Sequence, residues 1–202
     1  MNIEQKNALF TYKIVLIGAG GVGKTCLFNR FCFNSFDLNT LMTIGINFHT
    51  TYLPLKFRDY EGDHNEYNEE NYYVVDSIFD FSGQERFRPL IPQFLEGASG
   101  ALLIFDSVNF SSFVQLDEWY NLLIKNADPN IPKLLIGSKS DLLDKIPKAQ
   151  IVSEDVILDY VKEKNLDGFY RTSALTNYNV LEVFKKLTNL ILEYNEINAY
   201  VE

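Results

Sequence analysis

Apolar and polar positions along this chain alternate between two periods. Short continuous apolar runs recur, and the stretches between them repeat apolar residues at helical spacing. Residues 13–17 (KIVLI) predict a buried strand, followed by a glycine-rich turn and a helix over 24–32. Residues 46–55 alternate in part and predict a strand, residues 72–79 predict another, and the two are expected to pair as a hairpin. Residues 101–105 (ALLIF) form an uninterrupted apolar run, the pattern of a central parallel strand, and 134–136 repeats it more weakly. Residues 111–126 predict a helix with Phe113, Leu116, Trp119, Tyr120 and Leu123 on one face. Another is expected from Ser153, with Glu154 and Asp155 at its positive end. Over 180–194 the helical period is clearest, and Val180, Leu181, Val183, Phe184, Leu187, Leu190, Ile191 and Tyr194 form a stripe read as core packing. Strands alternating with helices predict an α/β fold of βαβ units, with a mostly parallel sheet and helices on both faces.

Residues 59–71 (DYEGDHNEYNEEN) break this pattern with six acids, and predict an extended acidic hairpin around 56–72 that is either solvated or discriminates between partners. The 202 residues carry 18 Lys plus Arg against 27 Asp plus Glu, a net charge of −9. That balance argues against general nucleic-acid binding and against adhesion to anionic membranes, both of which need a cationic face. Cys26 and Cys32 make neither a CxxC pair nor a Cys/His cluster, so two buried thiols are expected in place of a disulfide scaffold or zinc site. No signal-peptide apolar region opens the chain, Asn2 excludes N-myristoylation, and no apolar stretch is long enough to span a bilayer. One cytoplasmic, monomeric domain over 1–202 is expected.

The glycine-rich turn Gly18-Ala-Gly-Gly-Val-Gly-Lys24-Thr25 fits GxxxxGK[ST] and lies between a predicted strand and a predicted helix. Glycines let backbone N–H groups point inward around a phosphate, and the helix N-terminus adds positive charge. Lys24 is placed to reach the β- and γ-phosphates, and Thr25 to offer a hydroxyl to Mg²⁺. Kinases, ATPases and GTPases all use such a loop, so it leaves the nucleotide open.

Four more segments follow in order: Thr43-Ile-Gly-Ile-Asn-Phe48, Asp80-Phe-Ser-Gly83-Gln84-Glu-Arg-Phe-Arg88, Ser138-Lys139-Ser140-Asp141 and Thr172-Ser173-Ala174. With the phosphate loop they resemble the Ras superfamily of small GTPases, and within it the Rab family, over nearly the whole chain. Thr43 stands 18 positions after Thr25, as in that family. The resemblance implies a P-loop G domain with a mostly parallel six-stranded sheet. It implies nucleotide contacts from Gly20, Gly21, Val22, Gly23, Lys24, Thr25 and Cys26, from Phe36 beside the base, and from Thr43 and Gly83 at the γ-phosphate. At the base it implies Ser138, Lys139, Asp141, Ser173, Ala174 and Leu175. Thr25, Thr43 and Asp80 would hold Mg²⁺, and catalysis would rest on Gln84, which would orient the attacking water, together with Lys24 and Thr43. Asp141 would select guanine, whose two adjacent N–H donors a carboxylate accepts together, whereas adenine offers an acceptor there.

Several positions depart from the family pattern. Ser138 stands where Asn is usual, which predicts retained guanine specificity with weaker affinity. Phe81-Ser82 replaces the usual Thr-Ala, with Phe81 expected to pack, and Leu175 replaces a common Lys. The sequence shows no terminal cysteine and ends in an acidic tail, so no prenyl anchor is expected, and membrane recruitment would go through a partner. The expected function is a Mg²⁺-dependent, slowly hydrolysing GTPase, a two-state switch in trafficking or signalling. Its effectors, exchange factor and activating protein would dock around Thr43 and Gln84. The alternatives are a nucleotide-binding module with negligible hydrolysis and, more remotely, a P-loop ATPase or kinase.

Overall fold

All seven residues of Gly100–Asp106 are buried, as a strand covered on both faces requires. Its alternate side chains divide between two cores. Leu102 and Ile104 join Ile14, Leu16, Leu134 and Ile136 on one side. Ala101, Leu103 and Phe105 join Val15, Ile17 and Leu135 on the other. The computed structural model describes residues 7–37, 42–58, 72–148 and 151–202. Seven strands, β1 (Asn7–Ile17), β2 (Ile46–Phe57), β3 (Tyr72–Phe81), β4 (Gly100–Asp106), β5 (Lys133–Ser138), β6 (Phe169–Arg171) and β7 (Ala199–Val201), form one sheet in the order β6-β5-β4-β1-β3-β2-β7. The β6-β5-β4-β1-β3 pairs are parallel, while β2 runs antiparallel to both β3 and β7.

Among the described residues, six α-helices connect the strands: α1 (Lys24–Phe33), α2 (Pro92–Leu95), α3 (Phe110–Val114), α4 (Leu116–Asn126), α5 (Glu154–Glu163) and α6 (Val180–Tyr194). Leu27 and Phe28 of α1 and the buried stripe of α6 pack into the first core, where the Phe31 and Phe184 rings stack 3.8 Å apart. Leu116, Trp119 and Leu123 of α4 and Ile157 of α5 pack into the second. The single helix predicted over 111–126 is two, with Gln115, still in the right-handed helical region at φ −71° and ψ −9°, capping the first as its N–H turns to the Ser111 and Phe113 carbonyls. The α6 stripe is narrower than predicted: Leu181 and Tyr194 are exposed, whereas the polar Thr188 is fully buried. Cys26 and Cys32 are half-buried and not joined in a disulfide. The predicted β2–β3 hairpin forms, and its acidic connection, 59–71, lies outside the described residues. Among the described residues no helix is long and apolar enough to cross a membrane.

The sheet has seven strands, not six, because the chain after α6 returns to the sheet edge. Glu196, in the left-handed region at φ +57°, ends the helix, and the Ile197 N–H reaches back to the Leu192 carbonyl at 2.9 Å. Residues 199–201 then pair with Leu55–Phe57 of β2. Ala199 and Val201 are buried in the core. The Asn189 side chain of α6 clasps Val201 from both sides, accepting from its N–H at 2.8 Å and donating to its carbonyl at 3.0 Å. The backbone of the new edge is thereby satisfied at Val201.

A second polar feature lies inside the first core. Asp76 of β3 is fully buried, accepts the Thr188 hydroxyl at 2.6 Å and stands beside Tyr12 in register on β1. Its other carboxyl oxygen and the Tyr12 hydroxyl have no partner. Burial pushes the Asp76 carboxyl up to about 7, and the Thr188 hydrogen bond offsets this only in part. The folded chain thus holds a proton that the unfolded chain releases near pH 4. Between pH 4 and 7 the folded state binds more protons, so stability falls as pH rises through that window. Asp76→Asn is expected to flatten this slope and to raise Tm at pH 8 relative to the unsubstituted chain, as read by thermal unfolding from pH 4.5 to 8. Removing residues 199–202 uncovers Leu55 and loses two buried side chains worth about 2–4 kcal/mol together. Tm is expected to drop by roughly 5–10 °C, measured by calorimetry.

Candidate functional site

The turn between β1 and α1 is held by contacts that only glycine permits. Gly18, at φ +146°, lies against the Ile104 carbonyl of β4, where a Cβ would collide. Gly23, at φ +95°, opens α1. The turn therefore curls over the carboxyl ends of β1 and β4, where side chains from four other segments meet it. Together they line a cavity of about 430 Å³.

Most residues singled out from sequence are in its wall: Gly20, Gly21, Gly23, Lys24, Thr25, Cys26, Phe36, Thr43, Gly83, Gln84, Ser138, Lys139, Asp141, Ala174 and Leu175. Val22, Asp80 and Ser173 lie behind it and are buried. The sequence reading missed Met42, Leu142 and Lys145 in the wall. Met42 and Lys145 fall outside any motif, and only the folded loops bring them in.

Lys24 is buried and donates to the Gly18 and Ala19 carbonyls, each at 2.7 Å. Burial lowers its ammonium to about 8, with Asp80 opposing the shift. Thr25 donates to Asp80 Oδ2 at 2.7 Å, so the 2.5 Å contact between the Thr25 and Thr43 hydroxyls has Thr43 as donor. Asn47 adds a second donor to the same oxygen at 3.1 Å. Asp80 Oδ1 is buried with no partner, and burial raises the carboxyl despite the Thr25 bond and the Lys24 charge. Two hydroxyls and one carboxylate thus converge with an unsatisfied oxygen among them. That is an all-oxygen donor set of the kind Mg²⁺ takes when phosphates and waters complete its shell. Among the described residues no group of three or more His, Cys, Asp or Glu converges for a softer metal.

On the other side of the loop, the Ser138 hydroxyl sits 2.5 Å from the Val22 carbonyl and 2.9 Å from that of Phe105. It ties the phosphate-type turn to the sheet, although its single proton serves one acceptor at a time. Lys139, in the left-handed region at φ +56°, donates to the Gly21 carbonyl at 2.8 Å and pairs with Asp106 at 2.7 Å. Ser173 donates to one Asp141 oxygen at 2.6 Å. Arg30 of α1 holds the neighbouring loop, with Nε on the Ala174 carbonyl at 2.7 Å and its guanidinium 5.9 Å from the Phe36 ring. Nothing in the sequence pattern marks Arg30, since the carbonyl it holds, that of Ala174, lies 144 positions away.

The loops before β2 and after β3 also touch. The Thr43 carbonyl accepts from the Ser82 hydroxyl at 2.8 Å and from Gln84 Nε2 at 3.1 Å. Phe81 is fully buried in the second core, as expected of a packing residue. Residues 85–90 form a 3₁₀ turn beyond Gln84, and Arg88 anchors it to α4 through Glu118 at 2.6 Å and the Trp119 ring at 5.1 Å.

Comparison with known proteins agrees with this geometry. The model of the Ras family matches residues 13–193. The Ras-related protein rab-11.1 of Caenorhabditis elegans is 34% identical over 184 residues, covering 89% of this chain and 80% of the relative. The Ras-related protein Rab-11A of Dictyostelium discoideum is 35% identical over 188 residues, covering 93% and 79%. The Ras-related protein RABA1b of Arabidopsis thaliana is 35% identical over 182 residues, covering 90% and 76%. A glycine-bound turn that gathers a buried lysine, two threonines and an aspartate, together with matches over nine-tenths of the sequence, means that the chain belongs to the Ras family as a Rab-like, GTP-hydrolysing small GTPase.

Proposed function

We propose that this cavity binds GTP with Mg²⁺ and that hydrolysis there switches the loops around Thr43 and Gln84 between two arrangements. The observation that carries the reading is the convergence of Lys24, Thr25, Thr43 and Asp80, with Gln84 donating to the Thr43 carbonyl in the same cavity. Backbone N–H groups of residues 20–26 and the Lys24 ammonium hold the β- and γ-phosphates. Lys24 exchanges its present carbonyl partners for phosphate oxygens, a charge-assisted and therefore stronger pairing. Thr25, Thr43 and Asp80 hold Mg²⁺, which neutralises charge on the phosphates when bound. Gln84 orients the attacking water, and Lys24 stabilises the charge that gathers on the transferred group.

At the base, Asp141 accepts the two adjacent guanine N–H groups. Its Ser173 bond, at 2.6 Å, keeps the carboxylate oriented for that task. Ser173 and Ala174 supply backbone N–H groups, the Lys139 stem covers one side, and Phe36 borders the ring. Ser138 keeps the tether to the Val22 carbonyl but is too short for a second contact to the base, so guanine affinity is reduced without loss of selectivity. The γ-phosphate contacts of Thr43 and Gly83 exist only with the triphosphate, which makes the two loops state-dependent. Effectors, exchange factors and activating proteins engage this face of a monomeric switch that works in trafficking.

Single-turnover hydrolysis of GTP with Mg²⁺ tests the catalytic assignment. The unassisted rate is expected in the range of about 10⁻⁴–10⁻² s⁻¹, because among the described residues no arginine lines the cavity as an internal finger. Gln84→Leu is expected to suppress it while leaving GTP affinity intact; unchanged turnover removes Gln84 from that role. Asp141→Asn is expected to weaken GTP by about 10²-fold or more and to relax the preference for GTP over ATP, measured by competition with a fluorescent guanine nucleotide.

A further inference from the structure

Gly83 presses against the Ala19–Gly20 backbone, where no Cβ fits. The residue before it, Ser82, is buried, with 1% of its surface exposed. Its N–H donates to the Gly45 carbonyl at 3.0 Å, extending the β2–β3 ladder by one rung. Its hydroxyl donates to the Thr43 carbonyl at 2.8 Å and accepts the Gln84 N–H at 3.3 Å. The same Thr43 carbonyl takes Gln84 Nε2 at 3.1 Å. One buried oxygen is thus the junction of the loop that carries Thr43 and the loop that carries Gln84.

We propose that Ser82 is a positioning residue for hydrolysis, whose hydroxyl sets the Thr43 carbonyl and the Gln84 backbone relative to each other. The inference rests on the roles of Thr43 and Gln84 proposed above. A carbonyl oxygen has two lone pairs. With one committed to Ser82, the other is directed at the Gln84 amide. Fixing a serine hydroxyl costs little rotamer entropy, so the alignment is held more cheaply than a long side chain could hold it. Alanine here would leave the Gln84 N–H without its acceptor and let the Thr43 peptide rotate. Neither the phosphate loop nor the base loop is hydrogen-bonded to the Ser82 hydroxyl, and the γ-phosphate contact of Thr43 exists only with GTP, so removing the hydroxyl acts on the GTP-bound loops and spares GDP retention.

The test is Ser82→Ala, with Ser82→Cys as a second variant that keeps the bulk but donates weakly. Three quantities are measured on each chain with Mg²⁺: the single-turnover hydrolysis rate of bound GTP, the release rate of a fluorescent GDP, and Tm of the GDP-bound form. Hydrolysis is expected to slow about tenfold in both variants, equivalent to about 1.4 kcal/mol, the size of one neutral hydrogen bond. Release is expected to stay within about twofold and Tm to fall by no more than about 5 °C, the loss of one buried hydrogen bond without loss of core packing. Hydrolysis within twofold of the unsubstituted chain overturns the proposal. So does a parallel change in hydrolysis, release and Tm, which marks a merely structural serine. If the unsubstituted chain itself neither retains GDP nor turns over GTP, the underlying site assignment fails and Ser82 falls with it.

Discussion

Everything in the site depends on how closely backbone can approach backbone around Ala19. Gly18 lies against the Ile104 carbonyl on one side, and Gly83 lies against Ala19 and Gly20 on the other. A side chain at either position would push β4 or the loop after β3 away from the turn. These two contacts bring the ends of β1, β3 and β4 to one point. There Lys24 and Gln84 line a single cavity, with Asp80 buried behind its wall. The glycines set the distances, and the polar groups only use them.

Around that point the sheet supplies rigidity and the loops supply polar ties. Two cores, one on each face, fill alternate positions of β1, β4 and β5, so these strand ends have no freedom to move apart. Two ties run from the loops back to the turn, Ser138 to Val22 and Lys139 to Gly21, and a third runs from α1 to a loop, Arg30 to Ala174. Each is a side chain holding a main-chain carbonyl. Such bonds order a loop without adding to its apolar surface, which suits a region that must stay open to a ligand. By contrast, the 3₁₀ turn beyond Gln84 hangs on α4 through Arg88. An exposed ion pair of this kind contributes little energy, so this segment can change partners at small cost.

Elements whose signal is local were legible in the sequence. β4 showed as ALLIF because burial on both faces removes every polar position. α6 showed its helical period because one wide face meets the core. The phosphate-type turn, Thr43, Asp80 and Asp141 showed because their chemistry demands fixed residue types at near-fixed spacing. Other features had no such signature. β7 is three residues long, too short for a period to register, and its partner lies more than 140 positions away. Nothing in the pattern singled out Asp76 or Thr188, which the fold places 2.6 Å apart. Gln115 divides the predicted helix without being a proline or a glycine, so no breaker announced it.

Sequence by itself determined the α/β alternation, the residues that form the turn, and the acidic balance that disfavours polyanionic partners. It could do so because backbone sterics, hydrophobic period and charge act over a few neighbouring residues or over the whole sum. The tertiary structure alone decided which loops meet across the cavity, that Ser82 and Gln84 share the Thr43 carbonyl, that Arg30 reaches the loop at Ala174, and that the chain end closes the sheet edge. Those outcomes join residues tens to more than a hundred positions apart. Such pairings depend on strand order and register, which no local pattern encodes.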